Sequence, residues 1–279
     1  MDRYVVAGNP VEHSQSPFIH AEFARQTGQA MEYGRLLWPL DGFAESVRAL
    51  AHSGAKGCNI TVPFKFEAVR QAKRLTERAA LAQAANVLRF DADGWLADNT
   101  DGVGLVVDIE RNAGVALAGK RVLLIGAGGA AAGVLGPLLA ARPAEIVVAN
   151  RTLDKARALV ERHRPVAGAT TLRASTLGAC GAAFEVVINA SASSLQGAAV
   201  PVSPDVLAPG ALALDMMYGA PAQPFLDWAA VHRANGRDGL GMLVEQAAAA
   251  FELWRGVRPD TAPVLVALRQ RMSRAQATR

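Results

Sequence analysis

Short apolar runs, bounded by glycine, proline or asparagine, recur along the chain, and stretches of helical periodicity fill the intervals between them. Arg3 to Ala7 is brief and rich in β-branched residues, which predicts a buried strand. The segment GNPVEHSQSP, residues 8–17, follows as a loop of turn residues. Ser16 and Pro17 predict a helix start, Ser16 as N-cap and Pro17 at the first helical position, running to Thr27-Gly28. Strands are expected over Met31 to Leu37 and Gly57 to Ile60, with a helix from Gly42 to Ala51 between them. Thr61-Val62-Pro63 opens a helix that contains Lys65. Asn86 to Phe90 and Trp95 to Asp98, separated by Asp91-Ala92-Asp93-Gly94, read as a hairpin. Asn99-Thr100-Asp101-Gly102 ends it, and a helix is expected over Val103 to Asn112.

The alternation then repeats. Strands are expected at residues 121–125, 145–149, 185–189 and 211–215 with helices between them, and two helices, about 240–255 and 260–275, close the chain. Strand and helix alternating throughout predict an α/β protein with mainly parallel sheets covered by helices. A boundary near residues 101–102 divides it into two domains, the second Rossmann-like.

Residues 121–133, RVLLIGAGGAAAG, carry the first chemical signal. A buried strand leads into Gly126, Gly128 and Ala131 at the spacing G-x-G-x-x-A, and a helix follows. Gly126 permits the tight turn, Gly128 lets backbone N–H groups approach a pyrophosphate, and the small Ala131 lets helix and strand pack closely. The diphosphate sits on the positive helix end. The next strand, EIVVA over 145–149, ends in Asn150-Arg151-Thr152, where an NAD site usually places an acid for the ribose 2′-hydroxyl. Here the chain offers Arg151, a helix-capping Thr152 and Lys155 one turn on. A guanidinium binds a 2′-phosphate that an acid would repel, so the pattern favours NADP.

Composition narrows the classes further. Hydrophobic residues are 51% and charged residues 19%, as in a folded globular chain. The formal charge of +4 is spread without a dense Lys/Arg block, and aromatics are few, so no nucleic-acid footprint emerges. Two cysteines without C-x-x-C, and five histidines without ligand spacing, imply neither a disulfide framework nor a metal site. The N-terminus lacks an apolar leader, and the most apolar run, Gly129 to Ala141, is too short for a membrane span. A cytoplasmic protein with no membrane partner is the expectation.

Nucleotide binding does not name a substrate, so oddly placed polar residues in the first domain matter more. Lys65 lies in the first turn of its expected helix, the wrong sign for the macrodipole, and is flanked by Phe64 and Phe66. Both features make its ammonium a better proton donor; its ordinary alternative is a surface lysine. Asp101 can cap the helix that follows it. Ser14 and Ser16 can face one ligand or serve as caps. Asn59, Thr61 and Asn86 flank apolar strands, where turn and cap bonds are the usual role.

Taken together, GNPVEHSQSPFIH, NITVPFK, Asn86, DNTDG, GAGGAA, NRT, DMMYG and NGRDGLGMLVEQAAAAFELW resemble the shikimate dehydrogenase family, in order and spacing, over nearly the whole chain. The resemblance implies a substrate domain over 1–101, an NADP domain over 102–238, and helices in 239–279 returning to the first domain. It implies reversible reduction of 3-dehydroshikimate to shikimate with NADPH, in aromatic amino acid biosynthesis, with hydride moving to ring C3 and Lys65 and Asp101 handling the proton. By the resemblance Ser14 and Ser16 hold the substrate carboxylate, and Thr61, Lys65, Asn86, Asp101 and Gln246 contact the ring hydroxyls. Asn59 supports the loop, Tyr218 lies near the substrate and Met216 beside the nicotinamide. Gly126, Ala127, Gly128, Gly129 and Ala130 form the diphosphate turn. Asn150, Arg151, Thr152 and Lys155 form the 2′-phosphate site, and Gly239 is a nicotinamide contact.

Three positions depart from the family pattern: Ser194 stands for a glycine, Val87 for a threonine, and Met217 varies at an apolar site. The chain is expected as a monomer or homodimer. The competing readings are a shikimate/quinate dehydrogenase paralogue with broader substrate or NAD use, and a non-catalytic NADP-binding regulator.

Overall fold

The computed structural model describes residues 1–191 and 200–277. It divides into two compact units, Met1–Gly104 with the chain from Leu243 onward, and Leu105–Met242.

The first unit is built on a six-stranded sheet. In chain order its elements are β1 (Asp2–Gly8), α1 (Ser16–Thr27), β2 (Met31–Leu37), α2 (Phe43–His52), β3 (Gly57–Ile60), α3 (Lys65–Gln71), β4 (Arg74–Leu75), α4 (Glu77–Ala82), β5 (Val87–Arg89) and β6 (Leu96–Asp98). The strand order is β2-β1-β3-β5-β6-β4. β1 runs parallel to β2 and β3, and β4 runs parallel to β6. The hairpin strand β5 is antiparallel to both of its neighbours. The sheet is therefore mixed, because a tight hairpin cannot join parallel strands. Val5, Ala7, Cys58, Ile60, Leu88 and Ala97 pack in one cluster with Phe43, Val47 and Leu50 of α2.

The starts of α1 and α3 differ from expectation. Gln15 occupies the N-cap position of α1 without a side-chain cap bond, and Ser16 is the first helical residue. The neighbouring serine explains this: Ser14 Oγ accepts the Ser16 N–H at 3.3 Å. Thr61 to Phe64 forms a turn, closed by Phe64 N–H to Thr61 O at 3.1 Å, so α3 begins only at Lys65. β4 and α4 were not expected; α4 carries a legible signal, since Thr76 caps it by accepting from Ala79 N at 3.3 Å.

α5 (Asp101–Val107) starts two residues before its expected position and continues as a π-helical turn, Asp108–Asn112. The second unit then follows with β7 (Arg121–Ile125), α6 (Gly129–Ala140), β8 (Glu145–Ala149), α7 (Leu153–His163), β9 (Thr171–Ser175), β10 (Phe184–Asn189), β11 (Leu207–Asp215), α8 (Gln223–Val231) and β12 (Asn235–Arg237). All of its ladders are parallel, in the order β12-β11-β10-β7-β8-β9. Counted from β7 this is the doubly wound dinucleotide-binding order, which reverses direction between β7 and β10. The two strands missing from the sequence reading, β9 and β12, are both sheet edges, where burial does not enforce an apolar run. α9 (Leu240–Arg255) and α10 (Ala262–Ala277) close the chain.

A buried ion pair fixes one end of the second unit. Arg237 Nε and Nη2 donate to Asp108 Oδ2 and Oδ1 at 2.8 and 2.6 Å, and Asn112 Nδ2 adds a bond to Oδ1 at 3.0 Å. Asp108 is fully buried, and its carboxylate raises the Arg237 pKa. Gly241 leaves room for this carboxylate: a Cβ there would lie 1.7 Å from Asp108 Oδ1. Since the carboxylate is pinned from two sides, Gly241→Ala is expected to lower stability by about 2 kcal/mol or more in urea unfolding; an unchanged midpoint would contradict this account of Gly241.

Candidate functional site

Parallel pairing of β1 with β3 brings the loops that follow them out at one edge of the first sheet. Asn9 N–H donates to Val62 O at 2.9 Å, and Thr61 N–H to Ala7 O at 3.0 Å, tying the Ser14-bearing loop to the Lys65-bearing turn. The hairpin supplies the rest. Asn86 precedes β5, Asp98 ends β6, and Asn86 N–H donates to Asp98 O at 3.0 Å, so Asn86 and Asp101 meet although 15 residues separate them.

Lys65, the first residue of α3, places Nζ 2.5 Å from Asp101 Oδ2. Both side chains are largely buried, 14% and 7% exposed. Asp101 Oδ1 accepts from Asn86 Nδ2 at 2.9 Å. The carboxylate therefore does not cap α5; Asn99 Oδ1 instead accepts the Asp101 N–H at 3.2 Å. Phe64 is core, whereas Phe66 is 40% exposed, so the expected pair of flanking rings is only half realised.

Gln246 of α9 joins the cluster through Oε1, 3.0 Å from Asn86 Nδ2, while its own Nε2 donates to Leu243 O at 2.8 Å. Ser14 Oγ and Ser16 Oγ are 3.1 Å apart on their loop. Asn59 is a supporting residue: its Oδ1 accepts from Tyr33 OH at 2.6 Å and its Nδ2 donates to Asn86 O at 3.1 Å.

Sequence reading missed three members of this cluster. Thr100 is fully buried, its N–H donates to Asn86 Oδ1 at 2.8 Å, and its Oγ1 accepts from Asn86 Nδ2 at 3.0 Å. It sits in the run Asp98-Asn99-Thr100-Asp101, polar yet buried throughout. Tyr33 and His20 are the others. His20 is fully buried and stacks on Tyr33 at 4.1 Å between ring centres, and its ring nitrogens have no hydrogen-bond partner among the described residues. Its place in an amphipathic helix gave no hint of this.

In the second unit, Gly126 follows β7 at φ +113°, and a Cβ there would lie 3.0 Å from the Ala190 backbone after β10. The two loops at the reversal point of the sheet thus touch at a residue that must be glycine. Gly128 precedes α6, where no side chain caps the helix and a Cβ would meet nothing within 4 Å. With Ala127, Gly129 and Ala130 this is a bare backbone turn at a helix start, and Ala131 is buried beneath it. Such a turn fits a diphosphate.

Asn150 Nδ2 donates to Thr152 O at 2.8 Å, and Thr152 stands at the N-cap of α7 without a side-chain cap bond. The one first-turn acid of α7, Asp154, pairs with Arg157 at 3.2 Å. Among the described residues Arg151 and Lys155 have no acidic partner and are exposed, a pair of cations that fits a phosphate monoester. Met216 and Gly239 are pressed together beyond β11: a Cβ on Gly239 would lie 2.3 Å from Met216 O. Tyr218 also belongs to this unit, in the loop after β11. Ala192, Ser193 and Ser194 lie outside the described residues.

Known proteins share this pattern over the whole chain. Residues 6–88 match the shikimate dehydrogenase substrate binding domain, 109–197 the shikimate / quinate 5-dehydrogenase family, and 239–269 the shikimate 5'-dehydrogenase C-terminal domain. The NADP(+) shikimate dehydrogenase of Methylibium petroleiphilum is 64% identical over 276 residues, covering 96% of this chain and 94% of that one. Among solved structures, an Ael1 enzyme from Pseudomonas putida is 45% identical with a TM-score of 0.85, covering 96% of this chain and 98% of that one. A shikimate 5-dehydrogenase from Thermus thermophilus in complex with shikimate is 29% identical with a TM-score of 0.84, covering 98% of this chain and 100% of that one.

The support beneath the cluster makes a prediction of its own. Burial lowers the His20 pKa from 6.5 to about 3, so the folded protein keeps the ring neutral while the unfolded chain protonates it. The unfolded state binds more protons between those values, and stability falls as pH drops through that window. Between about pH 6 and about pH 4 the wild type should lose about 1 kcal/mol per pH unit more than His20→Phe in urea unfolding. Parallel pH curves for the two would contradict it.

Proposed function

The chain belongs to the shikimate dehydrogenase family, and from that premise we infer how its residues carry the reaction. It is an NADP-dependent oxidoreductase that reduces 3-dehydroshikimate reversibly to shikimate. The observation that carries the reading of the site is the Lys65–Asp101 pair, 2.5 Å apart, nearly closed to water, with Asn86 on the second carboxylate oxygen.

We propose that the substrate domain spans 1–101, with 239–279 packing onto it, and that 102–238 is the NADP domain. Gly126 to Ala130 receive the diphosphate, and Asn150, Arg151, Thr152 and Lys155 receive the 2′-phosphate; the bare α6 start and the two unpaired cations support this. Met216 and Gly239 border the nicotinamide. NADPH, when bound, supplies the hydride equivalent that the carbonyl carbon gains. Lys65 Nζ donates the proton that the C3 oxygen takes up as the ketone becomes an alcohol. Asp101 keeps Lys65 in place and accepts the neighbouring ring hydroxyl, and proton and charge return to the pair from solvent. The two groups act as a coupled unit. Ser14 and Ser16 hold the ring carboxylate, Thr61, Asn86 and Gln246 hold the hydroxyls, and Tyr218 lies near the substrate. The protein works in the cytoplasm as a monomer or homodimer; two free, buried thiols, Cys58 and Cys180, fit a reducing compartment.

Initial rates followed by nicotinamide absorbance test the assignment. Shikimate with NADP should turn over, and exchange for quinate or NAD should cost most of the rate. Comparable turnover with either would move the protein to the broader paralogue class, and silence in every combination with NADP still bound would favour a regulator. Lys65→Ala should lower kcat by about a thousandfold while KM for shikimate changes only severalfold; near-normal kcat would remove Lys65 from its role. Arg151→Ala should raise KM for NADP by about tenfold or more and leave NAD kinetics unchanged. Equal losses with both coenzymes would contradict the 2′-phosphate site.

A further inference from the structure

β2 is an edge strand of the first sheet, and its alternate residues Tyr33 and Arg35 share one face. Tyr33 reaches Asn59, as described above. Arg35 reaches the serine loop: Nε and Nη2 both donate to Ser14 O, at 2.9 and 2.5 Å. The loop's other internal ties are weaker in kind, a neutral Ser14 N–H to Val11 O bond at 3.1 Å and the Ser16 N–H to Ser14 Oγ bond at 3.3 Å. A charged fork on one carbonyl therefore sets where Ser14, and with it the 3.1 Å pair of hydroxyls, stands.

Charge makes a second argument. Two serine hydroxyls are neutral donors and do not by themselves distinguish a carboxylate from its ester. The loop's own acid, Glu12, accepts from Val11 N at 3.1 Å and would repel an anion. Lys65, the cation of the cluster, is committed to Asp101. Arg35 has no carboxylate partner among the described residues, and it sits directly behind Ser14. Water screens an exposed guanidinium but does not remove its field at the short distance set by one peptide group.

We propose that Arg35 is a positioning residue that selects an anionic substrate: it fixes the Ser14 carbonyl and supplies the positive charge that makes the paired hydroxyls a carboxylate site. The proposal rests on the assignment of Ser14 and Ser16 to the ring carboxylate. The sequence pattern of β2, read only as a strand, gave no sign of this.

The test compares shikimate with its uncharged methyl ester in the wild type, Arg35→Gln and Arg35→Lys, each checked for an unchanged melting temperature. Arg35→Gln should raise KM for shikimate about tenfold with kcat within about twofold, and the acid-to-ester ratio of kcat/KM should fall about tenfold. Arg35→Lys, which keeps the charge but not the fork, should recover most of the ratio. An acid-to-ester ratio unchanged in Arg35→Gln would overturn the proposal, because a purely structural loop contact affects both ligands alike. Calorimetric titration of shikimate and the ester without coenzyme separates this from the reaction itself. If the wild type does not turn shikimate over, the assigned reaction fails. Arg35 is then judged by affinity alone: a selective loss of shikimate binding in Arg35→Gln supports it, and an equal loss for both ligands overturns it.

Discussion

Both backbone groups and both amide atoms of Asn86 are engaged, and they run to three separate segments of the first unit. Its N–H donates to Asp98 O at the end of β6, and its carbonyl accepts from Ile60 N at 2.8 Å and from Asn59 Nδ2 in β3. Its Oδ1 accepts from Thr100 N–H, and its Nδ2 faces Asp101 Oδ1, Thr100 Oγ1 and Gln246 Oε1. The residue is 2% exposed, so each lost partner would leave a buried polar group unmet. The position of Asp101, and through it that of Lys65, follows from this one amide. A fully engaged network of this kind favours one arrangement, which suits the proton-handling role proposed for the pair.

The architecture explains why such a hub exists. A parallel β1–β3 pair delivers two loops to one edge, and an antiparallel hairpin beside it returns Asn86 and the Asp98-to-Asp101 run to the same edge. A purely parallel sheet would need a crossover between β5 and β6, and could not set Asn86 beside Asp98 within so short a stretch. In the second unit the logic is one of absence of side chains. Gly126 and Gly128 clear the backbone at the sheet's reversal point, and Arg151 after the adjacent strand and Lys155 in the first turn of α7 are the cations proposed to receive a phosphate.

How much of this was legible varied with the physics. β3 was readable to the residue as a short buried run, and β2 matched its expected span although it is an edge strand with no buried residue. β9 and β12 were not, since TLRAS and NGR at sheet edges need no apolar pattern. Ser16 and Asp101 look like helix caps by type and position. Each gives that task to a neighbour, to Ser14 Oγ and to Asn99 Oδ1; the Ser16 hydroxyl pairs with Ser14 Oγ, and the Asp101 carboxylate is spent on Lys65 and Asn86. For Asp101 no local rule foretells the outcome, because its deciding partners, Asn86 and Lys65, are distant in sequence. Thr100, Tyr33 and Arg35 were invisible for the same reason: their roles lie in tertiary hydrogen bonds, which residue type and spacing do not encode.

The central claim is that Asn86 acts on turnover through Asp101. A double-mutant cycle on kcat with Asn86→Ala, Asp101→Asn and the double variant addresses it most directly, each protein first shown to fold and bind NADP. The account predicts strong coupling: the double variant should lose little more than Asp101→Asn alone, so that the two single losses overlap by about tenfold or more. Additive losses would mean that Asn86 and Asp101 contribute independently, and the account of the site built on their hydrogen bond would be wrong.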